Sequence, residues 1–251
     1  MTLKLALSAA ALLVASAGSG ASDASIELRG RAQQLAVYGP AAGPPVILGS
    51  GDLGWAGFVV HVAELLAGKG YRVIGFNTRA YLSSFTAADS ALTPADVAAD
   101  YRQLVEHARG SGSARPVLAG VSEGAGLAVL AATFPEVKMR AAGVLGLGLP
   151  DQTALGWRWR DAAVWVTKKA PKEPSFMVRD VIARVSPVPL AEIHSTRDEF
   201  LSLEDARSMF ARAGEPKRMW VVEAANHRFS NNRPELDRSV LEALQWIASR
   251  R

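Results

Sequence analysis

The chain has 251 residues, 49% hydrophobic and 21% charged, and its 28 Lys and Arg against 24 Asp and Glu give a formal net charge of +4. A balance this mildly basic does not argue for a nucleic-acid partner, although it suits an anionic surface or substrate. There is no cysteine, so neither a disulfide nor a lipoprotein attachment point exists.

Residues 1–21 read as a secretory signal. Lys4 supplies a positive start, 5–14 is an apolar core, and Ala15-Ser16-Ala17 or Ser19-Gly20-Ala21 fits a small-residue cleavage site. The stretch is too short and too rich in small residues for a spanning helix; the alternative is an anchor left uncleaved. The expected mature protein is soluble, periplasmic or secreted, with a single domain over 22–251, long enough to bury a full core. Loss of Lys4 leaves 27 basic against 24 acidic residues, a net charge of +3.

Two short strands, over 26–29 and 34–38, should pair as a hairpin at a sheet edge. After a Pro/Gly loop over 39–45, a buried strand over 46–48 runs into Gly49-Ser50-Gly51-Asp52-Leu53-Gly54-Trp55. A helix over about 58–67 stops at Gly68 and Gly70. The strand over 71–76 ends in a turn, Asn77-Thr78-Arg79-Ala80-Tyr81. Thr93-Pro94-Ala95-Asp96 is a helix start, with a cap, a proline at the first position and an acid in the first turn. That helix should reach about 108.

The next strand runs into Gly120-Val121-Ser122-Glu123-Gly124, with a helix-compatible run over 127–133 behind it. This is G-x-S-x-G between a strand and a helix. A serine on so sharp a turn needs glycine on both sides, where a Cβ would clash. The turn lifts the hydroxyl above the sheet edge and leaves the Glu123 N–H at a helix start, aimed at a developing oxyanion. Further strands are expected over 142–149, 190–194 and 218–223, with helices over 202–213 and from Pro234 to about 249. An insertion over about 152–187 interrupts the rhythm. Strand and helix in alternation predict an α/β fold, a mostly parallel central sheet with helices on both faces.

A serine nucleophile needs a histidine to take its proton and a carboxylate to orient that histidine. In the α/β-hydrolase arrangement these follow in the order nucleophile, acid, histidine, on turns after late strands. Asp198 follows the 190–194 strand, and His227 follows the 218–223 strand. The rival acid is Asp151, after the 142–149 strand, and Asp198 could instead cap the helix near Ser202. Glu199 should point away from the site. His61, His107 and His194, in helices and a strand, are read as packing or hydrogen-bonding residues. Glu123 is read as a first-turn acid. The second oxyanion N–H is assigned to Asp52 or Leu53, with the Asp52 side chain turned away to cap the following helix. Arg79 and Tyr81, after a strand's carboxyl end, face the side where open α/β sheets bind ligands. No ligand cluster or phosphate-cradling loop suggests a metal or other cofactor.

The Gly49-to-Trp55 loop, the Asn77-to-Tyr81 turn, Thr93-Pro94, the Ser122 elbow and Asn226-His227-Arg228-Phe229 resemble the VirJ/AcvB-type bacterial virulence protein branch of the α/β-hydrolases. The resemblance covers most of the mature chain, and 152–187 matches least. It implies a periplasmic hydrolase of aminoacylated phosphatidylglycerol, chiefly the lysyl form, with Ser122, Asp198 and His227 as nucleophile, acid and base. Where many hydrolases carry a His-Gly pair, this chain has Ser50-Gly51.

Within the insertion, Trp157 and Trp159 alternate with Arg158 and Arg160, a period of two that would set aromatics on one face of a strand and cations on the other. Trp165, Lys168, Lys169 and Lys172 follow. Such a set suits peripheral contact with an anionic bilayer, or else an ordinary packed strand. The leading reading is therefore a serine hydrolase of a small-molecule or lipid ester. Its competitors are a general carboxylesterase or dienelactone-type hydrolase, and a hydrolase-fold protein that only binds a partner.

Overall fold

The computed structural model describes residues 21–87, 90–110, 112–158 and 173–250. The expected export signal, apart from its last residue, lies outside the described residues, as do Trp159, Arg160, Trp165, Lys168, Lys169 and Lys172. Strands β1 (Ser22–Leu28) and β2 (Arg31–Tyr38) pair antiparallel through a two-residue turn. Arg29 and Gly30 both take positive φ, 48° and 76°, which matches the twist of the strands they join. β2 then runs antiparallel to β4 (Arg72–Phe76).

The remaining strands of the sheet are parallel. They are β3 (Pro45–Gly49), β5 (Val117–Val121), β6 (Gly143–Leu147), β9 (Leu190–Ser195) and β10 (Lys217–Val222). The order across the sheet is β1-β2-β4-β3-β5-β6-β9-β10. β3, β5, β6 and β9 are buried throughout; β3, β5 and β6 read in sequence as apolar runs, whereas β9 carries Glu192 and His194 alternating with Ala191 and Ile193. Chain progression reverses between β3 and β5, and a crevice opens at such a switch point, beyond the strands' carboxyl ends.

Helices cover both faces. α1 (Phe58–Gly68) and the closing helix α8 (Arg233–Ala248) bury one core with Leu48, Leu145 and Ile193. α3 (Pro94–Arg109) and α4 (Glu123–Ala132) bury the other with Ile47, Leu118 and Val144. Thr93 caps α3 by accepting from Asp96 N–H, while the Asp96 carboxylate takes the Thr93 N–H, a reciprocal box with Pro94 at the first position. A short helix, α5 (Pro135–Lys138), precedes β6.

Three local expectations change. The 77–81 turn is the start of a helix, α2 (Thr78–Ser84), because Asn77 Oδ1 accepts the Ala80 N–H and caps it. α4 spans Glu123–Ala132, so the helix-compatible run over 127–133 is only its later part. The alternating Trp/Arg segment is not a strand where it is described. β7 (Gln152–Ala154) ends before it and pairs with β8 (Ser175–Met177), while Trp157 is buried in the core and Arg158 pairs with Glu173. After β8 come α6 (Val178–Val181) and a single 3-10 turn over Ile182–Val185.

Candidate active site

Backbone sterics place Ser122. It sits between β5 and α4 at φ 50°, in the left-handed region that a non-glycine residue rarely occupies. Its N–H donates to Leu147 O, and its carbonyl accepts from Ala125 and Gly126, so the turn is bonded on both sides. A Cβ on Gly120 would lie 2.2 Å from Gly124 C, and one on Gly124 would lie 2.5 Å from Ser50 O. Glycine is therefore required at both positions because backbones meet there. One on Gly51 would lie 3.5 Å from Ser122 Cβ, so the loop after β3 leans directly on the elbow.

That loop and the elbow enclose a mainly apolar cavity of about 190 Å³, lined by Asp52, Leu53, Phe58, Val121, Ser122, His227 and others. Asp52 and Leu53 line this cavity together with Ser122, and Leu53 is exposed at the rim. The residue at the N-cap of α1 is Gly57. Glu123 begins α4, whose first N–H groups have no acceptor within the helix. Its carboxylate does not stay in solvent at the helix start. It accepts from Ala154 N–H at 3.3 Å, and burial, reinforced by nearby Asp52, pushes it up to about 8 against that bond.

Hydrogen bonds place the acid and the histidine. Asp198 Oδ2 lies 2.5 Å from His227 Nδ1, and Asp198 Oδ1 accepts from Phe200 and Leu201 N–H. Burial would raise the Asp198 carboxyl, but its bonds to His227 and Phe200 and the neighbouring His194 outweigh that and hold it below the ordinary value. The helix near Ser202, α7 (Leu203–Ala211), is capped by Ser202 itself, which leaves Asp198 to His227. Asp151 pairs instead with Arg179. Glu199, expected to point away, accepts the His227 backbone N–H at 2.8 Å. Nothing in the spacing separated Glu199, 28 residues before His227, from a solvent-facing acid.

The His227 loop is stitched by asparagines. Asn226 Oδ1 accepts from Arg228 and Ser230, Asn231 Oδ1 accepts from Ala225, and Phe229 follows at φ 54°, fully buried against Phe58. Gly148 supports the ring from below, since a Cβ there would sit 2.5 Å from His227 Cε1. Phe200, partly exposed, packs edge-on to the same ring at 5.2 Å. His227 Nε2 is buried with no hydrogen-bond partner among the described residues, and His227 and Ser122 line one cavity.

The expected ligand-binding residues divide. Arg79 is partly exposed beside the loop after β3: a Cβ on Gly54 would meet its Nε at 3.2 Å, and its guanidinium lies 5.5 Å from the Trp157 ring. Tyr81 is removed from the set. It is fully buried, and its hydroxyl donates to Asp100 at 2.7 Å, in a network with Arg29. The helix that replaced the expected turn rotates Tyr81 into the core. Of the other histidines, His61 bonds Asp237 and His107 lies on α3, as non-catalytic readings require. Among the described residues no group of three or more His, Asp or Glu is arranged for a metal, and no helix is long and apolar enough to cross a membrane.

Comparison with known proteins identifies the family and the fold. A family model described as bacterial virulence protein (VirJ) matches residues 45–247. No curated protein matches the chain. Solved structures similar in fold include a membrane phospholipase A described as a bacterial virulence factor, at 14% identity and a TM-score of 0.66, covering 92% of this chain and 87% of that one. An esterase from Pyrococcus furiosus aligns at 17% identity and 0.66, over 90% and 89%. The thioesterase domain from the curacin biosynthetic pathway aligns at 14% and 0.61, over 88% and 99%. At these identities the likeness is one of fold, the α/β-hydrolase fold.

Proposed function

Since the chain belongs to the bacterial virulence protein (VirJ) family, we propose that it is a serine ester hydrolase whose substrate is the aminoacyl ester of lysyl-phosphatidylglycerol. The observation that carries the chemistry is the buried Asp198–His227 contact, with Nε2 unpartnered in a cavity shared with a strained serine. His227 Nε2 takes the Ser122 proton as the oxygen attacks the ester carbonyl, and Asp198 holds the tautomer and stabilises the imidazolium. The oxyanion accepts from the Glu123 N–H and from Asp52 or Leu53. The glycerol oxygen leaves with the proton held by His227. Water, deprotonated by the same nitrogen, then cleaves the lysyl-serine ester, so each turnover consumes one water and releases lysine and phosphatidylglycerol.

The substrate assignment rests on the family, on the export signal read in the sequence, and on an exposed apolar rim. Leu53 at the cavity and Phe200 beside His227 suit a substrate met at a lipid surface, and Arg79 suits its phosphate. Trp157, at 8% exposure, contributes through Arg79 rather than by entering a bilayer. The enzyme on this reading works outside the cytoplasm.

The test is to incubate purified protein with lysyl-phosphatidylglycerol vesicles and follow free lysine, with Ser122→Ala as control for spontaneous hydrolysis. Ser122-dependent release supports the proposal. Cleavage of a soluble short-chain ester without lysine release moves the assignment to a general carboxylesterase, a reading the small apolar cavity also suits. Failure of a fluorophosphonate to label Ser122 would leave a hydrolase-fold binding protein.

A further inference from the structure

Two ionisable side chains lie fully buried behind the acid, and the mechanism above does not use them. Glu192 and His194 are two residues apart on β9, so they share the sheet face opposite apolar Ala191 and Ile193. The sheet makes room for them. Gly146, paired with Glu192 across β6, leaves the space that its carboxylate fills, and a Cβ there would lie 2.5 Å from Glu192 Oε2.

Each bond the pair makes ends on a segment that sets the triad. Glu192 Oε1 accepts the Leu149 N–H at 3.1 Å, immediately after Gly148, the residue packed beneath the His227 ring. His194 Nε2 faces Leu201 O at 3.0 Å and therefore carries hydrogen and donates. Leu201 is the residue whose own N–H holds Asp198 Oδ1. The same Nε2 is 3.9 Å from Asp198 Oδ2, the oxygen on His227. His194 Nδ1 lies 3.4 Å from Glu192 Oε1, which sets the two side chains against each other. Burial raises the Glu192 carboxyl; burial alone would lower the His194 imidazole, but Glu192 and Asp198 outweigh it and leave it raised. Apolar residues of similar volume would fill this site without the cost of burying two ionisable groups.

We propose that the Glu192–His194 pair is a positioning device for the Asp198–His227 couple, an inference that rests on the serine-hydrolase reading. It clamps the acid's turn through Leu201 and the floor of the histidine through Leu149, and it sets a donor behind the acid's working oxygen. His194 does not touch substrate; it acts through Asp198.

The test uses the full chain with p-nitrophenyl acetate, comparing His194→Phe, His194→Gln and Glu192→Gln with Ser122→Ala and Asp198→Asn. His194→Phe should lower kcat about 10- to 100-fold with KM little changed, as expected when a reacting group is misplaced by a fraction of an ångström. It should also shift or abolish the low-field proton resonance of His227 Nδ1–H. His194→Gln, whose amide can donate to Leu201 O, should recover part of both. A folded His194→Phe with the wild-type kcat and resonance overturns the proposal. So does loss of cooperative melting in both His194 variants, which would assign the pair to the fold. Full activity in Ser122→Ala marks a different failure, that of the serine mechanism itself.

Discussion

The elbow at 120–124 and the paired loops at 198–201 and 225–232 solve one problem by opposite means. The elbow is held by exclusion. Gly120 and Gly124 bring backbone segments so close that no side chain fits, Gly49 packs tightly beside Gly124, and Ser122 is the residue left to project. The loops are held by polar bonds. Asp198, Glu199, Asn226 and Asn231 satisfy backbone N–H groups one by one, and His194 and Glu192 support them from the sheet. Steric exclusion tolerates no substitution at its contact points. A hydrogen-bonded loop loses its members singly, and function fails before fold.

The largest effect should come from breaking the elbow. Gly124→Ala puts a Cβ 2.5 Å from Ser50 O and 2.6 Å from Gly49 C, both backbone atoms that cannot turn aside. β3 and α4 must separate, at a cost of about 3 kcal/mol or more. Activity and thermal stability should fall together. Chemical denaturation reads the stability loss, and an unchanged midpoint would contradict the exclusion argument.

Asp198→Asn should do the reverse. The amide oxygen can still accept from Phe200 and Leu201, so the turn survives, but the amide nitrogen no longer accepts from His227 Nδ1–H. Turnover should fall about 10³- to 10⁴-fold, while at pH 7 the variant stays folded with a modestly lower melting temperature, because the carboxylate's contribution is lost. A second signature follows from linkage. Asp198 has a depressed folded-state value, so its contribution to stability is present above the ordinary carboxylate range and is lost as pH falls through the lowered one. The variant should therefore lose stability less steeply than wild type below about pH 4. Damage from Asp151→Asn in place of Asp198→Asn would reverse the choice of acid.

The contrast also explains what was legible in the chain. Glycines forced by backbone contact leave a spacing, and G-x-S-x-G could be read directly. Asp198 and His227 were readable because topology assigns them to turns after particular strands. Tyr81 was misread because one cap, Asn77 on Ala80, turned a loop into a helix and rotated the ring inward. Glu199, Glu192 and His194 were not legible at all as parts of the site. Their roles depend on which backbone N–H or carbonyl lies opposite in space, up to 43 residues away in the case of Glu192 and Leu149, and no local pattern encodes that.

The smallest effect belongs where the two modes meet. Glu123 is part of the elbow, yet its carboxylate is placed by a bond, from Ala154 N–H, in a shielded spot near Asp52. Its folded-state value, raised to about 8 from 4.5, means that the folded chain holds a proton the unfolded chain releases. The sign follows: its contribution is fully present below about pH 4.5, declines as pH rises, and is gone above about pH 8. Glu123→Gln keeps an acceptor for Ala154 and removes the titration. It should match wild type near pH 5 and be more stable at pH 8.5. Because the Glu123 backbone N–H is untouched, turnover should change little. Melting curves at the two pH values decide it. Equal Tm differences at both would mean that Glu123 is ionised throughout and that burial does not set its charge.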